Sequence, residues 1–303
     1  MSLGKFFQWT VSEKGRKVVS YLAPVAIGTV AACSLLPQTL FIDDYVDFLH
    51  IYRKGFTIPI TEETKKKFGE VLDLLKVSSE QRLRYKPFNC VGFDVFSLGA
   101  SFSKWGVRVG IPANFDYIHE SDIETHRITL NGEKLLWETE AGKKLLKSFI
   151  LSRNAQLYAI AREIRMGETK KLALDVALGA SLTFATYALA RSINTKFNLY
   201  VKPPIIRCIM YMLVTGFSLG NYFLVKDGSQ HYYERSVDKE IKENYPDLAE
   251  GAKEYYTKQL LRNMCLRTLL GKEGEKIFSP LGNINYFIRI KSIPLMDRRE
   301  FFD

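Results

Sequence analysis

The chain has 303 residues, and its 43 Lys and Arg against 33 Asp and Glu give a formal net charge of +10. The basic residues are scattered, with no Gly-rich phosphate loop and no zinc-finger spacing. This argues against nucleic acid and for attraction to anionic lipid headgroups. Cys33, Cys90, Cys208 and Cys265 form no CxxC pair, which argues against a disulfide framework or a zinc ribbon.

In chain order, the amino terminus reads MSLGKFFQWTVSEKGRKVV, with Lys5, Lys14, Arg16 and Lys17 opposed by Glu13. A basic, acid-poor start suits mitochondrial import; a flank that merely orients the first span accounts for the same charges. Val18–Ile42 then carries no charged residue, Leu172–Ala190 carries only Asp175, and Cys208–Val225 carries none. A hydrocarbon core of about 30 Å takes ~20 apolar residues in a helix, and backbone in lipid must satisfy its own hydrogen bonds. Three transmembrane helices are predicted: residues 18–42, then a hairpin over 172–225.

Counting crossings places 43–171 and 226–303 on one face, where they can form a single domain. The basic segment 1–17 and the hairpin turn, with Arg191, Lys196, Lys202 and Arg207, are expected on the other face, which the positive-inside rule assigns to matrix or cytosol. In the soluble part, TEETKKKFGEVLDLLK sets Phe68, Val71, Leu72 and Leu75 on one helical stripe, with Thr61 as cap. From Tyr85 to Trp137, alternating aromatic and β-branched residues predict a small, largely antiparallel sheet, with a hairpin turn at Asn131-Gly132. One helix is predicted from Thr139 to Met166. Another covers SQHYYERSVDKEIKENY, and a third follows, opened by a capping box of Asp247 and Glu250 and ended by Gly271.

Five stretches carry a family resemblance: YKPF (Tyr85–Phe88), VGIPANF (Val109–Phe115), LSRNAQLYAIAREI (Leu151–Ile164), LLGKEGEKIFSPLGNI (Leu269–Ile284) and RIKSIPLMDRR (Arg289–Arg299). In these blocks and in the placement of its spans, the chain is similar to the transmembrane protein 177 family of the mitochondrial inner membrane. The resemblance implies a multi-pass inner-membrane protein that serves cytochrome c oxidase assembly. Its implied partners are newly made subunit 2 and the factors that stabilise that subunit before copper is inserted. It implies no enzyme activity, no cofactor and no small-molecule substrate.

The order sheet, long helix, membrane hairpin, acidic helix also resembles integral-membrane zinc metallopeptidases. In those enzymes HExxH binds zinc through two His, and a Glu after the hairpin is the third ligand. Here Glu163 stands at the general-base position, but Arg162 and Met166 occupy the two His positions. A guanidinium offers no lone pair and a thioether is a poor zinc ligand. Glu234 and Asp238 do fit the ExxxD that follows the hairpin. Two readings follow, an inactive relative of a protease or ordinary helix charges paired across the fold; a membrane zinc metallopeptidase with unusual ligands is the alternative function from another class.

Other candidates are weaker. His231 shares a helix face with Glu234 and Asp238, while His119 and His126 lie in a polar connector. Asp175 can be neutralised by Lys170 or Lys171, and Gly271–Lys276 lacks the GK[ST] of a phosphate loop. No catalytic, cofactor-binding or metal-ligating residue is assigned. Gly179, Ala180, Ser181, Gly216 and Gly220 are candidate helix-packing positions in the hairpin. The predicted class is an α+β membrane protein with three transmembrane helices and one soluble α+β domain, the degenerate peptidase-like architecture being one reading of it.

Overall fold

The computed structural model describes residues 8–130 and 133–303. In chain order its helices are α1 (Glu13–Leu35), α2 (Ile42–Leu49), α3 (Glu62–Leu74), α4 (Ser79–Arg82), α5 (Glu140–Phe149), α6 (Arg153–Glu168), α7 (Lys171–Lys196), α8 (Pro204–Asn244), α9 (Pro246–Leu270), α10 (Lys272–Ile277) and α11 (Leu295–Phe301). The strands are β1 (Tyr52–Arg53), β2 (Phe56–Thr57), β3 (Tyr85–Cys90), β4 (Phe96–Gly99), β5 (Val107–Pro112), β6 (Thr129–Leu130) and β7 (Glu133–Lys134). They fall into two compact units, Met1–Gln38 with Lys170–Ser229, and Thr39–Thr169 with Gln230–Asp303.

The first unit holds the helices long and apolar enough to cross a membrane, Glu13–Gln38, Lys171–Lys196 and the first part of α8. At 1.5 Å per residue, α1 and α7 are each longer than a bilayer core of about 30 Å. Their outward faces carry Tyr21, Val25, Phe184, Leu213 and Leu224, all exposed. Such a surface is incompatible with water and suited to lipid. Ser12 caps α1 by accepting from the Gly15 N–H at 3.1 Å. The apolar run reaches Ile42, yet the membrane helix gives way to a 3-10 turn at Leu36–Gln38, around Pro37. Ile42 instead opens α2 and is buried with Val46, Phe88, Cys90 and Leu98.

In the second unit β5 is the central strand, with all six residues buried. It pairs parallel with β3, Tyr85 opposite Val107 through Cys90 opposite Pro112, and antiparallel with β4, Phe96 opposite Gly110. The sheet is therefore mixed, where the sequence pattern predicts an antiparallel one. Period-two alternation reports which face is buried and carries no information on strand direction. The strands flanking Asn131-Gly132 pair antiparallel, Thr129 with Lys134, but the turn itself lies outside the described residues.

The helix predicted across 139–166 is two helices. Ile150 is extended, and Ser152 caps α6 by accepting from the Ala155 N–H at 3.3 Å. Apolar spacing continues across the break and hides it. The helix α3 starts at its expected cap, Thr61, which accepts from the Thr64 N–H at 3.2 Å.

The helix α6 is the axis of this unit: it packs against α3, β4, β5 and α9. Tyr158, Ile160 and Ile164 on it are fully buried, each contributing roughly 1.5–3 kcal/mol. Contact with α9 depends on Gly251, where a Cβ would lie 2.1 Å from the Asn154 carbonyl oxygen. The expected Asp247–Glu250 capping box does not form. The helix α9 begins earlier, with Tyr245 as cap and Pro246 in the first turn, and Glu250 accepts from Asn154 Nδ2 at 2.9 Å. Gly271, at φ 56°, ends α9.

Candidate functional site

Helix periodicity places Tyr158 and Arg162 one turn apart on α6, and Glu234 and Asp238 one turn apart on α8. Both pairs face inward, and α11 adds Arg298 while α9 adds Tyr256. Glu163, Glu234, Asp238 and Arg298 are all buried. Arg298 grips Asp238 from two directions: Nε donates to Oδ2 at 2.8 Å, and Nη2 donates to Oδ1 at 2.8 Å and Oδ2 at 2.6 Å. Tyr158 donates to Asp238 Oδ1 at 2.9 Å, and its hydroxyl lies 2.8 Å from that of Tyr256. The Arg298 guanidinium sits 4.7 Å from the centre of the Tyr256 ring.

Arg162 is the second cation. Its Nη1 donates to Glu163 Oε1, and its Nη2 lies 3.6 Å from Glu234 Oε1. Its Nε approaches Asp238 Oδ1 at 3.5 Å, close enough for charge attraction without a hydrogen bond. Glu163 also accepts from Ser97 Oγ at 3.1 Å. Glu234 accepts from Gln230 Nε2 at 2.8 Å and from the Ile293 N–H at 2.9 Å.

Burial raises the Glu163 pKa above its ordinary value, and the neighbouring Arg162 only partly offsets that. Burial also raises the Tyr158 hydroxyl well above its ordinary range, so it stays a proton donor. On Arg162 burial works against the charge, but the Tyr256, Glu163 and Asp238 oxygens outweigh it. Two guanidinium groups, Arg162 and Arg298, thus face the three carboxyl groups of Glu163, Glu234 and Asp238.

A cavity of about 630 Å³ adjoins the cluster, lined by Arg162, Tyr256 and Arg298 on one side and Phe93, Leu145 and Phe149 on another. At its rim Arg262 forms a two-point pair with Asp94, at 2.8 and 3.0 Å.

These groups do not fit zinc. Each carboxylate that a metal would need is already held by a guanidinium or a backbone N–H. Among the described residues no set of three His, Cys, Asp or Glu side chains is placed to hold a metal ion. Arg162 stands where the motif requires an imidazole, and its positive charge repels a cation. The thiols offer little either. Cys90 and Cys265 are buried, and burial pushes the Cys90 thiol up to about 12.

Sequence reasoning singled out Arg162, Glu163, Glu234 and Asp238, and the structure brings all four together. It misses Arg298, Tyr158, Tyr256 and Ser97. Arg298 and Tyr158 lie inside blocks already marked by the family resemblance, which was the available signal. His231 lies on the same helix as Glu234 but outside the cluster, and His119 and His126 are exposed. Asp175 pairs with Lys171 at 2.6 Å, and Gly271–Lys276 forms the cap of α9 and most of α10.

The sequence profile described as Transmembrane protein 177 matches residues 99–296. The human protein of that name is 32% identical over 86% of this chain and 84% of its own length. The chain belongs to the transmembrane protein 177 family. The mouse member is 30% identical over 86% of the chain and 84% of its own length. The Xenopus laevis member is 27% identical over 98% and 95%. The family match takes in Arg162, Glu163, Glu234 and Asp238 and stops two residues before Arg298. No solved structure matches the chain.

Proposed function

We propose that this chain is a non-enzymatic assembly and stabilising factor of the mitochondrial inner membrane, acting on newly made cytochrome c oxidase subunit 2 with its assembly chaperones. One observation carries the reading: the buried charged residues of the ion cluster are spent on one another, while apolar side chains are left outside. Phe287, Ile288 and Ile290 are exposed beside Arg289 and Lys291. An exposed apolar stretch flanked by charge is a docking surface for protein. A site whose carboxylates are neutralised has no base to offer a substrate.

Thr39–Thr169 and Gln230–Asp303 build one unit, so a bilayer cannot separate them, and both face one compartment. In the inner membrane the basic end of the hairpin faces the matrix by the positive-inside rule, and the unit projects into the intermembrane space.

The test is affinity capture with the tagged full chain from mitochondria labelled during translation. Wild-type chain is expected to retain new subunit 2, and Phe287→Asp with Ile288→Asp to lose it at unchanged abundance. Equal capture by both removes this surface from the proposal. Absence of subunit 2 from the wild-type capture removes the function. The meeting of Glu163, Glu234 and Asp238 also favours descent from a membrane peptidase, as an inactive relative; stoichiometric zinc in the purified chain would turn that reading toward an active enzyme.

A further inference from the structure

In the membrane unit, α1 packs closely along α7, where Gly179 admits Val30: a Cβ at Gly179 would lie 3.1 Å from Val30 Cγ1. Among the described residues, α8 makes no comparably close backbone approach to either helix. Gly216 and Gly220 on it have nothing within 4 Å of an added Cβ. The space left is an apolar groove of about 630 Å³, walled by Leu22, Ala26 and Val30 of α1, Leu182 of α7, and Val214 and Leu219 of α8. Thr183 and Thr186 line it too, but their hydroxyls are spent on the Gly179 and Leu182 carbonyls, each at 2.7 Å.

At one end the groove adjoins a second cavity of about 600 Å³, the two sharing Val19, Tyr187, Ala190 and Tyr211 as lining residues. That end is cationic. Arg16, Lys17, Arg191 and Arg207 line it against a single carboxylate, Glu13, which pairs with Lys17 at 2.8 Å. Arg207 is only 4% exposed, and among the described residues it has no carboxylate partner. Its Nη2 reaches Thr10 Oγ1 at 3.4 Å, and its buried Nε donates to nothing. Asn194, 2% exposed, donates to the Tyr211 hydroxyl at 2.9 Å and leaves its Oδ1 without a partner. The Arg16 guanidinium lies over the Tyr200 ring at 5.3 Å.

A guanidinium withdrawn from water without a counter-charge is costly, and arginines grouped at a membrane edge match the geometry of phosphate oxygens. Beneath them runs a groove from Val19 to Val30, which at 1.5 Å per residue is about 17 Å, the depth of one leaflet of a core of about 30 Å. We propose that this unit carries a site for an anionic phospholipid, its phosphate held by Arg207, Arg191 and Arg16 and one acyl chain lying in the groove between α1, α7 and α8. The buried arginine selects the phospholipid over a partner helix, which would fill the groove and leave that charge unmatched. Zwitterionic lipid is disfavoured because its choline would meet the same cations.

The test uses the purified full chain in non-ionic detergent, titrated with phosphatidylglycerol, with phosphatidylcholine of the same chains, and with inorganic phosphate, read by native mass spectrometry and thermal shift. Wild type is expected to retain phosphatidylglycerol at least tenfold better than phosphatidylcholine. Arg207→Gln should bring that preference within twofold, while Arg207→Lys keeps part of it. The exposed pair Arg16→Gln with Arg191→Gln, which leaves the buried contacts intact, should lower the preference at least fivefold even if Arg207→Gln fails to fold. Thr215→Trp, which fills the groove, should lose both lipids. Equal retention of the two lipids, or undiminished preference in the exposed pair, overturns the site. Stabilisation by inorganic phosphate equal to that by lipid overturns the groove, and a photo-crosslinker at Thr215 that captures a peptide in place of lipid assigns it to a partner helix.

Discussion

Arg298 on α11 and Asp238 on α8, separated by 60 residues of chain, form the most complete ion pair of the fold, three hydrogen bonds between 2.6 and 2.8 Å in a buried setting. Asp238 also takes the Tyr158 hydroxyl. Removing it takes from Arg298 every carboxylate hydrogen bond it makes and from Arg162 one of its three counter-charges. Asp238→Ala is expected to cost about 3–5 kcal/mol, read as a lowered denaturation midpoint of the full chain. Replacing Asp238 and Arg298 together by Leu and Met should recover most of the loss, because the pair repays little more than its own desolvation.

Glu163 gives the fold a pH dependence of unusual sign. Its folded pKa lies above its ordinary value of 4.5, so between the two values the folded chain keeps a proton that the unfolded chain has released. Stability therefore falls as pH rises through that window. Glu163→Gln, which is neutral at every pH, is expected to flatten the curve above pH 4.5. A midpoint that rises across the same window in wild type would contradict the assignment.

Gly251 sits where α9 touches the first turn of α6. Gly251→Ala would bring a methyl group to within 2.1 Å of the Asn154 carbonyl oxygen, and the helices must part. A loss of roughly 1–3 kcal/mol is expected, against near-neutrality for Gly228→Ala, which meets nothing within 4 Å. Equal effects of the two would show that the contact has room to relax.

The division of the chain predicts labelling. Lys66→Cys and Lys291→Cys lie on exposed positions of the same unit. A membrane-impermeant maleimide applied to sealed and then permeabilised membranes bearing the full chain is expected to reach both under the same condition. Labelling of one before the other would put the two halves in different compartments.

Much of this was legible in the residues. Apolar runs of bilayer length with at most one charged residue declare the spans, because charge in lipid is expensive. The helix α3 announced itself by Thr61 and the stripe Phe68, Val71, Leu72 and Leu75, a local cap with a local period. What escaped was non-local or masked. The start of α6 was hidden because the apolar repeat runs through Leu151 while Ser152 alone marks the cap. The parallel pairing of β3 with β5 joins strands that are neighbours in the sheet but separated by β4 in the sequence, which period-two alternation does not encode. Arg162, Glu163, Glu234 and Asp238 could be named from their spacing, but not the cation that completes them, since nothing in the local pattern of Arg298 points to Asp238.

The distribution of the ion cluster along the chain governs how the protein comes into being. Arg162 and Glu163 precede the hairpin in the chain, and Asp238 and Arg298 follow it. Without the carboxy-terminal part, the amino-terminal half holds an arginine and a glutamate facing inward with most of their partners missing. Damage near Arg298 is therefore expected to appear as scarcity of the protein before it appears as any defect in what the protein does.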